Sequence, residues 1–482
     1  MSVRRRVSGW DGRTLDRLGA ADSAVLDHLM PRLGRAADHG VLWFAVAAGL
    51  GATRSKWSRR AALRGVAALT MASAAANVLG KRAVGRSRPA GLVPVIRRQP
   101  SPPRTTSFPS GHAASAAAFA TGAALEVPGL AVPIGALAAA VGASRVVTGV
   151  HHPSDVAAGF VLGTAAGLLT LRWWPRRPAT PAAAARPRHE APAAPTGDGL
   201  VLVLNCSAGS ASQGLADRIA ARLPDAEIIV TSADDDLEGL MKDAALRARI
   251  LGIAGGDGSV RLAAGFAAGA GLPLLVLPAG TFNHFAADLG VHSEDDALTA
   301  LDTGDCVLVD VATAGDEVFL NTASTGVYVD LVNAREQIEN ALGKWPAVLV
   351  ALVTVLRTSK PVELLVNGRR RRVWLLFAGN CRYEPAGAAP TYRPDLADGA
   401  LDVRMIDGSQ PFARLRLVTA VLLGTLGRSR VYRTWSAATV RIAAADGSPV
   451  RLSLDGETTE AATAIEVAKH RKGLLVYRPA DT

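Results

Sequence analysis

SFPSGHAASAAAFATGAALE, residues 107–126, sets a Pro-Ser-Gly bend and a histidine at the head of an alanine-rich apolar run. Four further apolar runs flank it, at 41–53, 61–80, 130–143 and 155–171. Such a succession predicts an all-α transmembrane bundle, in which small residues let helices pack closely within the bilayer. Several runs are short: a helix of about 17 residues rises about 25 Å against a hydrocarbon core of about 30 Å. The alternative is a soluble helical bundle with Ala-rich faces. Residues 12–38 mix apolar positions at helical spacing with charges and read as amphipathic, lying along the interface.

The length of 482 residues implies more than one domain. A net charge of +11 and a pI near 10.1 suit nucleic acid, a membrane surface or anionic substrates. Aromatic residues are only 5%, and the arginines cluster in loops without a recognition module, so nucleic acid is not expected as a partner. Cys206, Cys306 and Cys381 lie in no zinc or disulfide spacing, and a reduced environment is expected for that half. The arginines of MSVRRRVSGWDGRTLDRLG precede no apolar core, so no cleaved export signal is expected. Domains are set at 1–172 (membrane bundle), 173–198 (a Pro/Ala/Arg-rich, solvated linker), 199–305 and 306–482. The last strands are allowed to return to the 199–305 lobe. Trp173-Trp174 followed by arginines is also how a membrane helix ends at cytoplasmic headgroups.

The histidine at 112 has partners elsewhere. KRAVGRSRP (81–89) holds Lys81 and Arg88, and SRVVTGVHHPSD (144–155) holds Arg145, His151 and Asp155. Taken with PSGH, this set resembles the type 2 phosphatidic acid phosphatase family, which shares its site with vanadium-dependent haloperoxidases. The resemblance implies that His151 attacks phosphorus, that Asp155 holds its other nitrogen, and that His112 protonates the departing alkoxide. It implies no metal. A phosphate monoester spreads charge over its equatorial oxygens in the transition state, so cations and donors must surround it. Lys81, Arg88 and Arg145 supply the cations; Ser110 and the Gly111 amide supply donors. His152 is expected to have no direct role.

Beyond residue 199 the pattern changes to an α/β text: GLVLVLN, AEIIVTS, ILGIAGGDGS and LPLLVLPAGTFNH alternate strand-like with helical stretches. The loop GGDGS (255–259) joins the strand ILGIA to a helix expected near Val260, an arrangement able to present amides to phosphate. With PAGTFNHFAADLG (278–290) it resembles the diacylglycerol kinase catalytic family, which also holds sphingosine kinases and bacterial lipid kinases. The resemblance implies a Rossmann-like nucleotide lobe, ATP, and nucleotide contacts at Asn205, Thr231, Gly255, Gly256, Asp257, Gly258, Ser259 and Thr281. His284 stands where the family commonly has aspartate, and Ser259 where it has threonine.

From 306 onward, alternating apolar residues broken by Asn-Gly and Asp-Gly turns predict a mainly antiparallel β-sandwich lobe. DLADGALDV (395–403) matches the family segment that binds a structural Mg²⁺, here Asp398 with backbone oxygens of Asp395 and Ala400. In SLDGE (453–457), Glu457 matches the general base and Asp455 lies beside it as a second catalytic carboxylate. PAVLVALVTVLRTSK (346–360) reads as a buried or membrane-leaning helix.

Together these readings give a multi-pass membrane enzyme with two opposed activities, a lipid-phosphate phosphatase facing outward and a cytoplasmic kinase using ATP and Mg²⁺ on a diacylglycerol-like hydroxyl. Its partners are membrane lipids, lipid phosphates and ATP. The competing reading is a membrane-anchored lipid-binding scaffold with only one active site. Acyl-chain preference and oligomeric state stay open.

Overall fold

Alanine and glycine at contact positions decide how the first half packs. In a computed structural model, helices α1 (Val3–Ala20), α2 (Met30–Ala36), α3 (Val41–Ala52), α4 (Lys56–Ala75), α5 (Gly111–Glu126), α6 (Ala131–Val147) and α7 (Pro153–Leu169) build the unit of residues 1–176. The structure describes residues 3–21, 23–53, 55–80, 85–89, 93–98, 105–178, 180–187, 191–205, 213–232, 235–326, 360–385, 387, 391–459 and 462–480. Lys81, Cys206 and all of 346–360 except Lys360 lie outside them.

Helix α5 is the central post, its Ala113, Ala114, Ala116, Ala118 and Phe119 fully buried. It packs on α4, α6 and α7. Gly159, Gly163 and Gly167 run down one face of α7 at four-residue spacing. A Cβ on Gly163 would overlap the Ala114 carbonyl oxygen, and one on Gly159 would stand 2.5 Å from that of Ser110. Only hydrogen fits there, so α5 and α7 meet backbone to backbone. Among the described residues, three helices are long and apolar enough to cross a membrane: Lys56–Val78, Pro128–Val147 and Pro153–Arg172. The amphipathic N-terminal stretch does not simply lie on a surface. Leu15 of α1 is fully buried with Val93, Ala113, Val146 and Val156.

The bundle has two polar ends. The starts of α5 and α7 and the close of α6 gather His112, Asp155 and Arg145 at one. At the other, the start of α4 meets the ends of α5 and α7. There Arg64, fully buried, donates to Glu126 Oε1 (2.6 Å), Thr170 Oγ1 (3.0 Å) and the Trp174 carbonyl, while Arg60 donates to Glu126 Oε2 (2.7 Å). A buried carboxylate so surrounded is fully paired.

The second unit, residues 177–482, opens with parallel strands β1 (Leu200–Asn205), β2 (Glu227–Thr231), β3 (Ile250–Gly255) and β4 (Leu274–Pro278), ordered β2-β1-β3-β4. The side chains of β1, β3 and β4 are almost wholly apolar and buried, those of the outer strand β2 only partly so, and the four share one large core. Among the described residues, five helices belong to this lobe: α8 (Gln213–Arg222), α9 (Leu237–Arg247), α10 (Asp257–Ala270), α11 (His284–Leu289) and α12 (Glu294–Thr303). Helix α10 starts at Asp257 rather than near Val260, because extended Gly256 already serves as its N-cap.

The remaining strands are β5 (Cys306–Ala314), β6 (Glu317–Phe319), β7 (Thr322–Gly326), β8 (Val362–Val366), β9 (Arg369–Asn380), β10 (Leu401–Asp407), β11 (Tyr432–Ala437), β12 (Thr439–Ala444), β13 (Ser453–Leu454), β14 (Glu457–Thr458) and β15 (Ala464–Tyr477), with helix α13 (Ala413–Leu422) after β10. They pair antiparallel around a second core. The mainly antiparallel lobe is hydrogen-bonded into one sheet with the nucleotide lobe, the last strand running back to it. The reason is β15: over its 14 residues it pairs with β12 and β5, and its end runs parallel to β4 at Val476–Leu274.

The Pro/Ala/Arg segment also departs from expectation. Instead of a solvated spacer, Ala182, Ala191 and Ala194 are buried, and the Ala182, Ala183 and Ala185 amides donate to carbonyls of Asp288, Pro394 and Leu308. Tyr477 Oη donates to the Pro192 carbonyl at 2.6 Å. Side chains this small let an extended strand settle into a groove and satisfy its backbone.

Candidate active sites

In the first unit, the turn before α5 and the turn before α7 are tied together: the Ser110 amide donates to the Asp155 carbonyl (3.0 Å) and the His151 amide to that of Arg145 (3.0 Å). Ser110 is the N-cap of α5, fully buried, its Oγ accepting from the Ala113 amide. Its hydroxyl therefore serves the helix. Gly111, next to it, has no protein atom within 4 Å of where a Cβ would sit.

His151 is buried, and its Nδ1 lies 2.6 Å from the Ser107 carbonyl. Asp155 Oδ2 stands 3.9 Å from that nitrogen, beyond hydrogen-bond length, so the expected Asp155–His151 bond is replaced. A carbonyl only accepts, so Nδ1 carries the proton and Nε2 the lone pair, the same tautomer by another partner. Burial pushes the imidazole down to about 4. Asp155 turns to its own helix start, accepting from the His152 amide (2.9 Å) and facing His152 Nδ1 (3.2 Å), which gives His152 a part that the sequence did not suggest. Its Oδ1 accepts from Arg86 (2.8 Å), which also donates to Ser154 Oγ and Asp11 Oδ2 (both 2.7 Å).

His112 Nε2 sits 2.8 Å from Asp38 Oδ1, and the same oxygen is 3.6 Å from Arg145. That hydrogen bond holds the Asp38 carboxyl below the usual range. Arg145 also donates to the Gly34 carbonyl. Arg88 donates to carbonyls of Val150 (2.8 Å), Thr105 and Thr106 and to Thr105 Oγ1, so what it offers a phosphate is chiefly charge, most of its N–H donors being engaged. Asp38, Asp11 and Arg86 were missed by sequence reasoning: they lie far from their partners along the chain and outside the catalytic spacing.

In the second unit, β1, β2, β3 and β4 all end at one edge, where α/β sheets bind ligands. Asn205 closes β1 and donates to Ser259 Oγ (2.9 Å). Thr231 closes β2, buried, its hydroxyl on the Leu204 carbonyl (3.3 Å). Gly255 ends β3, and a Cβ there would be 2.7 Å from that of Ser259. Gly280 approaches so near that its Cβ would overlap Gly256. Asp257 Oδ1 accepts from the Phe285 amide at 3.4 Å, and Thr281 is exposed beside the loop. His284 is exposed, stacked on Phe282 at 5.5 Å, with Arg177 3.3 Å from its Nδ1.

From the other lobe, Glu457 reaches this loop: a Cβ on Gly258 would overlap its Oε1. Arg261, one turn into α10, donates to Glu457 Oε2 (3.1 Å) and Glu317 Oε2 (3.0 Å). Asp455 differs from expectation. At φ 50° its carboxylate accepts from three amides, Leu320 (2.9 Å), Asn321 (2.8 Å) and Thr322 (2.7 Å), and so fixes the turn that carries Glu457. Fully buried Arg393 bridges the lobes through Asp288 Oδ2 (2.8 Å), the Leu320 carbonyl and Asn321 Oδ1.

In the loop 395–400, Asp398 accepts from the Arg382 and Ala400 amides, Asp395 from the Ala397 amide, and the Ala400 carbonyl from the Cys381 amide. Asp398 is exposed, and an all-oxygen donor set with a solvent-facing carboxylate fits a hard divalent cation. Asp310 and Cys381 come within 4.8 Å of Asp398 but do not fit that role. Buried Lys469 places its ammonium 3.2 Å from Asp310 and 2.9 Å from Cys381 Sγ, and burial pushes the Cys381 thiol up to about 12.

Fold and sites together define a bifunctional membrane enzyme, a phosphatase followed by a lipid kinase. Residues 61–179 match the PAP2 superfamily, and residues 199–314 match the diacylglycerol kinase catalytic domain. A decaprenylphosphoryl-5-phosphoribose phosphatase of Mycobacterium tuberculosis is 40% identical over 132 residues, covering 27% of this chain and 71% of that protein. A Pseudomonas putida protein named probable lipid kinase YegS-like is 30% identical over 215 residues, covering 43% and 70%. A crystal structure of a diacylglycerol kinase from Bacillus anthracis covers 58% of this chain and 97% of its own, with 17% identity and a TM-score of 0.41. The chain belongs to the PAP2 phosphatase superfamily in its first half and to the diacylglycerol-type lipid kinases in its second.

Proposed function

We propose that the first unit hydrolyses a lipid phosphate monoester through a phosphohistidine. His151 Nε2 attacks phosphorus; His112, held by Asp38, gives its proton to the leaving alkoxide; Arg145, Arg88 and Lys81 offset charge on the phosphoryl oxygens. Water then attacks phosphorus as the N–P bond breaks, its proton passing to His112, so that phosphate leaves and both histidines are restored. The Ser107–His151 hydrogen bond is the observation that carries this reading, because it leaves the attacking nitrogen unprotonated. A lipid-linked sugar phosphate, as in the mycobacterial relative's name, is the first substrate to try.

The second unit transfers the γ-phosphoryl group of ATP to a lipid hydroxyl, diacylglycerol being the first candidate. Glu457 accepts the hydroxyl proton as its oxygen attacks phosphorus, and ADP leaves. Arg261 aims Glu457, and the 255–259 loop offers amides to the nucleotide phosphates. Mg²⁺ held by Asp398 with oxygens of Asp395 and Ala400 would neutralise charge in that loop and stiffen it. The approach of Glu457 to Gly258 supports this reading.

The phosphatase site faces outward and the kinase lies in the cytoplasm. Supporting this, the chain leaves the bundle at the Arg60–Glu126–Trp174 end, away from His112 and His151, and basic ends mark the cytoplasm. Full-length protein is incubated with labelled ATP and lipid in one assay and with lipid phosphate in another. His151→Ala should abolish phosphate release and spare labelling; Glu457→Ala should do the reverse. Loss of both activities in either variant sinks the assignment.

A further inference from the structure

Between Asp407 and Asp446 the chain carries no acidic residue but six arginines, at 414, 416, 428, 430, 433 and 441. Helix α13 lies in this stretch. At 100° per residue, Ala413, Leu417 and Ala420 fall on one side. Leu417 and Ala420 are buried there against Trp374, Leu426 and Val431. Phe412, Leu415, Arg416, Thr419 and Leu423 fall on another, and it faces solvent. Phe412 is 79% exposed, Leu415 65% and Leu423 57%. Large apolar side chains so exposed, clustered within twelve residues, are unusual on a soluble face. Arg416 and Arg428 flank a groove of about 400 Å³ between the helix and the following turn, with Leu415 and Ser429 in its walls. Arg414 and Arg430 are exposed beside it.

We propose that α13 and the turn after it form the surface by which the kinase rests on an anionic bilayer. Phe412, Leu415 and Leu423 enter the headgroup–acyl boundary, while Arg416 and Arg428 grip a lipid phosphate between them, with Arg414 and Arg430 adding charge. Apolar anchors set among cations, with no carboxylate in the stretch, suit such a surface and disfavour a cationic or purely apolar partner. The role rests on the kinase acting on a membrane lipid, and it names where that membrane is touched.

The test uses full-length protein in vesicles containing phosphatidylglycerol whose acyl chains are brominated. The tryptophan added by Phe412→Trp is read as the difference from the parent, with Leu246→Trp, at an exposed position outside the patch, as reference. Fluorescence at 412 should be quenched about twofold, less at high salt, with little change at 246. Absence of quenching at 412 overturns the proposal, and equal quenching in brominated phosphatidylcholine overturns its anionic part. Disulfide cross-linking of Leu415→Cys between two chains assigns the face to a second copy instead.

In the double variant Phe412→Glu, Leu415→Glu, phosphorylation of bilayer diacylglycerol should fall about tenfold while that of a water-soluble short-chain diacylglycerol stays within about twofold. An equal fall on both substrates makes the patch structural and contradicts the proposal. Failure of the parent on the short-chain lipid counts against the diacylglycerol assignment, and the quenching result then decides the surface.

Discussion

At His151, a backbone carbonyl rather than a carboxylate sets the tautomer, which leaves Asp155 free to organise the start of α7 with Arg86 and Asp11. Because burial pushes His151 to about 4 from an ordinary 6.5, the unfolded chain takes up a proton between those values that the folded chain refuses. Stability is therefore full above pH 6.5 and declines as pH falls toward 4. Thermal unfolding in detergent should show this slope, flattened in His151→Asn. Asp38 acts through His112, so Asp38→Asn should cut phosphatase kcat roughly tenfold to a hundredfold and shift the limb of the pH profile set by the general acid. An unchanged profile would make Asp38 merely structural. In the kinase, Asp455→Ala orphans three part-buried amides and should cost about 1–3 kcal/mol by unfolding as well as lowering activity. An activity loss without destabilisation would return Asp455 to the chemistry.

The packing of α5 on α7 requires hydrogen at Gly163, and Gly163→Leu should push these helices apart and remove phosphatase activity while ATP-dependent labelling survives. In the second unit, Arg393→Met strands Asp288 and the Asn321 side chain, and a loss of about 3–5 kcal/mol in unfolding free energy is expected. The five apolar runs were legible as helices because their composition leaves little choice, and the α/β alternation was legible because parallel strands must be apolar on both faces. Arg393 was not. Nothing in TYRPD (391–395) signals a buried bridge, since the partners of Arg393 come from α11 and from the turn before β7. The segment 180–194 was equally opaque: proline and alanine read the same in a solvated spacer and in a strand laid into a groove. His112, His151 and Glu457 stood out because chemistry constrains their spacing, whereas Asp38 and Arg261 serve those residues from positions that only the fold brings near.

For the whole molecule, one half of the chain removes phosphate from a lipid and the other half adds it. If both worked on one leaflet, the pair would hydrolyse ATP without net product. Within the bundle, His112 and His151 lie at one end and the Arg64–Glu126–Trp174 cluster at the other; with the sidedness proposed above, a cycle would be limited by lipid crossing between leaflets. The most direct measurement uses sealed vesicles holding the full-length protein in one orientation, with the kinase outward and a lipid phosphate in both leaflets. The account predicts lipid labelling from external ATP and phosphate release only into the lumen. Phosphate appearing on the ATP side, with the vesicles still sealed, would contradict it.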